Sequence, residues 1–110
     1  MFADVCLVVN PQDDRYIKYL GKEFINPVNG QVIPLIADDY VDVAFGTGVM
    51  KCTPAHDAND FVIGEKYGLK MPMCINKDGS MNELALEFKG QDRFECRKNL
   101  VEKMKNLGLL

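Results

Sequence analysis

A chain of 110 residues, 47% apolar and 26% charged, has a globular balance rather than a disordered one, and its length suits one domain, 1–110, that can build a core without staples. No apolar run approaches the roughly 20 residues that span a bilayer, and the apolar start, Met1 to Asn10, has no basic leader and no small-residue cleavage site, so neither a membrane partner nor a secretory signal is expected. The net charge of −3 lacks the basic excess of a self-sufficient nucleic-acid binder, so any such contact must be local or shared with other parts of a larger protein.

Phe2 to Val9, rich in Val and Leu with loose alternation, predicts a strand. Pro11 to Asp14 predicts a turn in which an aspartate caps a short helix through Leu20, with Gly21 as its stop. Glu23 to Ile25 and Gln31 to Ile36 predict two strands, and Asn26-Pro27-Val28-Asn29-Gly30 between them has hairpin chemistry. Ala37 to Asp42 reads as an acidic loop. Phe45-Gly46-Thr47-Gly48 leads into a strand, Val49 to Thr53, whose ladder Pro54 ends. Asp57 is a good N-cap, Asp60 falls at the third helical position, and the helix runs through Tyr67 to Gly68. Met73 to Ile75 predicts a short strand, and Asn76 to Gly79 a turn. A last helix runs from about Asp92 to Asn106, with Phe94, Val101, Met104 and Leu107 as its buried face and Gly108 as its stop. Strands mixed with irregularly placed helices predict an α+β fold. Cys6, Cys52, Cys74 and Cys96 are too widely spaced for a zinc pair. Among apolar neighbours they read as reduced core thiols of a cytoplasmic protein.

The stretch that concentrates chemistry is Phe45 to Asp60, FGTGVMKCTPAHDAND. Strand alternation puts Val49, Lys51 and Thr53 on one face and Met50 and Cys52 on the other. Asp57 and Asp60, three apart at a helix start, can share a side, and carboxylates there are favoured in the ionised form. One pocket can therefore be lined by Lys51, Thr53, Asp57 and Asp60, a set that suits a polar ligand carrying an ammonium group. The pieces also have plain readings: Gly46-Thr47-Gly48 as a tight turn, the two aspartates as caps, His56 as a structural residue. A Cys52–His56 nucleophile is disfavoured because alternation turns Cys52 away from Lys51 and Thr53. A metal site from His56, Asp57 and Asp60 is conceivable. Ser80 is the only serine, so no Ser-His-Asp triad is available near His56. The residues alone give a polar ligand pocket able to support hydrolysis.

GTGVMKCTPAHDANDF, Gly46 to Phe61, resembles the signature of the editing insert of valyl-, isoleucyl- and leucyl-tRNA synthetases: Gly-Thr-Gly, then Pro-(Ala/Gly)-His, then an aspartate three or four residues on. The valyl branch fits best, through Lys51-Cys52-Thr53-Pro54, Asn76 to Glu83 and Gly90 to Lys98. The opening MFADVCLVVNPQDDRY is similar to the stretch that follows the family's Thr-Thr-Arg-Pro-Glu-Thr motif. The resemblance thus covers essentially the whole chain, beginning just past that motif, and implies a partial editing domain of a class I synthetase.

The implied fold is a mixed, β-barrel-like sheet with flanking helices. The implied activity is hydrolysis of threonyl-tRNA(Val), because a pocket shaped for valine rejects threonine only weakly and a second site must clear the error. Asp60 resembles the aspartate that holds the substrate ammonium. Thr53 and Asp57 resemble the residues that read the threonine side chain, and Lys51 a residue near the terminal adenosine or the ester. Phe45 is similar to the aromatic beside the adenine, and Gly46, Thr47, Gly48 and His56 complete the substrate-binding set. No metal or cofactor is implied for this domain; ATP serves the aminoacylation core, which these residues do not contain. The implied partners are the 3′ end of tRNA(Val) carrying threonine and the remaining domains of the synthetase, and an open sheet edge could pair two copies into a dimer. The alternatives are an incomplete piece that folds and binds weakly without catalysis, and the editing domain of an isoleucyl or leucyl enzyme.

Overall fold

The computed structural model describes all residues, 1–110, and divides them into two compact units: Ala3–Pro72 with Met1, and Met73–Leu110 with Phe2. The first holds four strands, β1 (Cys6–Val9), β2 (Glu23–Ile25), β3 (Val32–Ala37) and β4 (Val49–Cys52), and the helix α1 (Ala58–Lys66). The second holds a 3-10 stretch at Glu83–Phe88 and the helix α2 (Arg93–Asn106). The α+β expectation is met.

The strands form one mixed sheet in the order β2-β3-β1-β4. β1 runs parallel to β3, with Leu7 opposite Leu35, and antiparallel to β4, with Cys6 opposite Cys52. β2 and β3 form the hairpin expected from Asn26 to Gly30: Asn26 N donates to Gln31 O and Gly30 N to Asn26 O, each at 2.8 Å. The sheet is open, with β2 and β4 as its edges, so the barrel-like closure expected from the family does not occur within these strands. Val8, Cys6, Cys52, Val41 and Ile63 form the core where α1 covers the sheet. α1 approaches closely because residue 64 is glycine; a Cβ there would lie 2.9 Å from Pro54 Cβ.

The start of α1 follows from sequence chemistry. Asp57 has extended backbone, and its Oδ1 accepts from Asn59 N at 2.8 Å and Asp60 N at 3.1 Å, which satisfies two of the helix's unpaired donors. Replacing Asp57 with alanine is expected to lower stability by about 1 kcal/mol. Urea denaturation at neutral pH reads this, and an unchanged midpoint would show the cap to be dispensable.

Three expectations are corrected. No aspartate caps the short helix after Pro11: the 3-10 turn at Ile17–Tyr19 has no side-chain cap, and Asp13 is instead bound to Arg15. Met73 to Ile75 is not a strand; only an isolated bridge joins Ile75 to Met81, and Met73 O accepts from the Asn82 side chain, Nδ2, rather than from a ladder N–H. On α2 the one fully buried residue is Cys96; of the expected face Val101 and Met104 are half-buried, as are Asn99, Leu100 and Lys103, while Phe94 and Leu107 are not. Phe94 is two residues from Cys96, or about 200° around the helix, and is 67% exposed. Leu107 lies past the last turn and is also exposed.

Candidate functional site

Hydrogen bonds draw three of the four residues assigned to the pocket into one cluster at the end of β4. Thr53 follows the strand directly. Its backbone N donates to Asp60 Oδ2 at 2.9 Å, and its Oγ1 accepts from Lys51 Nζ at 2.7 Å. Lys51 and Thr53 meet because residues two apart in an extended chain share a face. Asp60 meets Thr53 because its position in the first turn of α1 aims its carboxylate back at the chain that enters the helix. Thr53 and Asp60 are each only 5% exposed, whereas Lys51 is exposed. Asp57 lies on the solvent side; its link to the cluster is the bond it accepts from Asp60 N. His56 is exposed in the turn closed by its own N donating to Thr53 O at 3.1 Å. Partial desolvation first, and then the charges of the Met1 ammonium and of Lys51, hold the His56 imidazole below its ordinary pKa.

A fourth member of the cluster is Asp4, which sequence reasoning passed over. It is 4% exposed and its Oδ1 accepts from Thr53 Oγ1 at 2.5 Å. The same oxygen lies 3.9 Å from Lys51 Nζ and 3.8 Å from the Met1 ammonium. Val5 N donates to Cys52 O at 2.9 Å, carrying the antiparallel pairing one step beyond Cys6 and bringing Asp4 alongside Thr53. The available signal was a single carboxylate within the apolar run Phe2 to Val9, where a buried charge demands a partner.

Phe45, Gly46, Thr47 and Gly48 lie at the other end of β4, whose first residue, Val49, is roughly 13 Å from Thr53 at strand spacing. They line a cavity of about 470 Å³ with Tyr40, Val41, Asp42, Val49 and Met50, a size within the range of small-molecule sites. Phe45 is 81% exposed beside it. The loop is fastened from below. Arg15 grips Asp13 with two bonds, Nε to Oδ1 at 2.9 Å and Nη2 to Oδ2 at 2.8 Å, and Nη2 also donates to Val43 O at 3.0 Å. Tyr16 donates from its hydroxyl to Thr47 O. Gly48, at φ +81°, leaves room for this clamp; a Cβ there would lie 2.5 Å from Arg15 Nη2 and 2.9 Å from Asp13 Oδ2. The Asp13–Arg15 pair was also missed: the turn Pro11 to Asp14 was read as supplying a helix cap, and Arg15 lies just beyond it.

The arrangement disfavours a thiol nucleophile. Cys52 is fully buried, burial raises its thiol pKa, and its Sγ donates toward Asp60 O at 3.7 Å. Cys6 opposite it is pushed up to about 12 by burial and by Cys52. All four cysteines are free and buried. No group of three or more His, Cys, Asp or Glu is placed to hold a metal ion, and no helix is long and apolar enough to cross a membrane. What the cluster offers is an exposed ammonium held on a hydroxyl, with two carboxylates behind it. Such a set can bind an anionic or carbonyl oxygen and stabilise charge that develops on it.

Comparison with known proteins gives a consistent result. The family described as leucyl-tRNA synthetase, editing domain, matches residues 13–103. A valine–tRNA ligase of Mycoplasma mycoides is 63% identical over 93% of the chain, and one of Mesoplasma florum is 59% identical over 94%. A valine–tRNA ligase of Bacillus licheniformis is 48% identical over the whole chain. In each case the match covers about 12% of the relative's length.

Proposed function

The chain belongs to the leucyl-tRNA synthetase type of editing domain, and from that premise we propose that it hydrolyses tRNA(Val) mischarged with threonine, as part of a valyl-tRNA synthetase. The valyl assignment is favoured by the ligases of 48–63% identity that align along the chain. The observation that carries the chemistry is the Lys51–Thr53–Asp60 cluster in the segment with the family signature.

In this reading the terminal adenosine lies near Phe45 and the Gly46-Thr47-Gly48 loop, Lys51 faces the ester or its flanking phosphate, and Asp60 pairs with the substrate ammonium. Thr53 and Asp57 read the threonine side chain, and His56 borders the site. Water adds to the ester carbonyl carbon, the bond to the ribose oxygen breaks, the ribose hydroxyl regains a proton, and threonine leaves as its carboxylate. An aminoacyl ester is labile enough that a positioned water and electrostatic help suffice, so no protein nucleophile is needed. A ribose hydroxyl of the tRNA is a candidate to activate the water. With a net charge of −3, the chain offers little general attraction to phosphate. In this reading the rest of the synthetase holds the tRNA body and raises the effective concentration of the ester here.

A second reading, in which the chain folds and binds without catalysis, is favoured by its span of only about 12% of the relatives' length. A panel of aminoacyl-tRNAs separates the readings: threonine on tRNA(Val), valine on tRNA(Ile) and norvaline on tRNA(Leu). Hydrolysis of the threonyl ester ahead of the other two is expected. Preference for either of the others would move the chain to that branch, and no hydrolysis of any would favour the non-catalytic reading.

A further inference from the structure

Two bonds meet on one hydroxyl at the end of β4, and their directions are fixed by chemistry. Lysine has three donors and no acceptor, and an ionised carboxylate has acceptors and no donor. Lys51 Nζ therefore donates to Thr53 Oγ1, at 2.7 Å, and Thr53 Oγ1 donates its single hydrogen to Asp4 Oδ1, at 2.5 Å. A threonine hydroxyl that must give its hydrogen to Asp4 always turns a lone pair toward Lys51. Asp4 is buried while Lys51 is exposed, so the chain of bonds runs from the interior to the part of the cluster that a ligand can reach. Asp4 Oδ1 lies 3.9 Å from Lys51 Nζ, too far for a hydrogen bond and close enough for charge attraction.

We propose that Asp4 is a positioning residue of the editing site, acting through the Thr53 hydroxyl to hold the Lys51 ammonium where the reacting ester needs it. The proposal rests on the functional reading above. Without Asp4 the Thr53 hydroxyl is free to rotate, and Lys51 loses both its fixed acceptor and the nearby negative charge. Asparagine in place of Asp4 keeps the shape but can donate from Nδ2 to Thr53 Oγ1, competing with Lys51 for the oxygen and lowering the charge behind it.

The test has two arms, both on the full chain. In the first, the Lys51 ammonium is followed by ¹⁵N NMR in the wild-type protein at low temperature. Its protons are expected to exchange more slowly with water, and its nitrogen to be more ordered, than those of Lys98 and Lys105 on the exposed side of α2. A Lys51 ammonium as mobile as theirs overturns the proposal without any variant having to fold. In the second arm, Asp4→Asn is compared with wild type and, separately, added to Lys51→Met, using threonyl-tRNA(Val). The expected result is a fall in kcat of roughly tenfold or more, as for a misplaced catalytic group, with little change in KM, and less than about twofold further loss in the Lys51→Met background. Equal losses in both backgrounds would mean that Asp4 serves only the fold, and would overturn the proposal. If the wild-type chain hydrolyses no ester, the functional reading fails, and the ammonium measurement alone decides whether Asp4 and Thr53 fix Lys51.

Discussion

Replacing Asp60 with alanine is expected to slow clearance of threonyl-tRNA(Val) by about 10- to 150-fold. The charge-assisted hydrogen bond to the substrate ammonium assigned to Asp60 is worth about 1.5–3 kcal/mol, and each 1.36 kcal/mol is about tenfold in rate. The same change should cost the fold about 1–3 kcal/mol, since Thr53 N then loses the acceptor at 2.9 Å that it now has inside the domain. The two effects are separable. Asp60→Asn keeps an oxygen for Thr53 N but removes the charge. If asparagine recovers the melting temperature and not the rate, Asp60 acts on substrate. If it recovers both, Asp60 is a peg between β4 and α1, and the ammonium role is wrong.

The second large effect is acid lability centred on Asp38. This buried carboxylate follows β3, and its Oδ2 accepts from Lys66 Nζ at 2.9 Å and from the Tyr67 hydroxyl at 2.7 Å, while Oδ1 accepts from Tyr40 N at 2.8 Å. Burial by itself would raise its pKa. The bond from Lys66 and those from Tyr40 and Tyr67 outweigh burial and bring the pKa down from 3.8 to about 2. A carboxylate depressed in the folded state contributes stability that is complete above its unfolded pKa and disappears as the pH falls through the folded one. The loss therefore falls between about pH 4 and about pH 2 and is on the order of 2 kcal/mol, an upper value because Lys66 is exposed and its pairing is screened. Arg15 and Ser80, through side-chain bonds, hold Asp13 and Asp78 below the usual carboxylate range as well, so the comparison must be made against a variant. Asp38→Asn should be less stable than wild type at pH 6, and the gap should narrow toward pH 2 in urea unfolding curves. A gap that stays constant with pH would show that the Lys66–Tyr67 contact contributes shape and not charge.

Much of the fold around the site was legible because local chemistry and final structure agree there. Asp57 reads as an N-cap and is one. Asn26 to Gly30 reads as a hairpin and closes β2 on β3. Lys51 and Thr53 read as one face of a strand and are joined by a hydrogen bond. What stayed hidden depends on partners distant in sequence. Asp4 and Thr53 are 49 residues apart, and nothing local in FADVC says which residue will satisfy the carboxylate. Asp38 was read only as part of an acidic loop, Ala37 to Asp42, because its partners, Lys66 and Tyr67, lie 28 and 29 residues on. The 3-10 stretch Glu83–Phe88 contains Leu86 at φ 56°, ψ −118°, a conformation that no propensity assigns to leucine. On α2, apolar spacing suggested a face through Phe94, Val101, Met104 and Leu107; Val101 and Met104 are half-buried, but Phe94 and Leu107 are exposed, and the face also takes in Cys96, Asn99 and Lys103, of which the last two are polar and gave no apolar signal. The threonine-reading roles proposed for Thr53 and Asp57 rest on the family resemblance; the geometry adds that Thr53 is already bonded to Lys51, Asp4 and Asp60.

The most direct test of the account is single-turnover deacylation by this 110-residue chain, comparing tRNA(Val) charged with threonine and the same tRNA charged with valine. A site that reads a hydroxyl should clear the threonyl ester faster than the valyl ester by at least about tenfold, because the threonine hydroxyl makes a hydrogen bond that the valine methyl cannot. Equal rates for the two esters, or no acceleration of either over water, would contradict it.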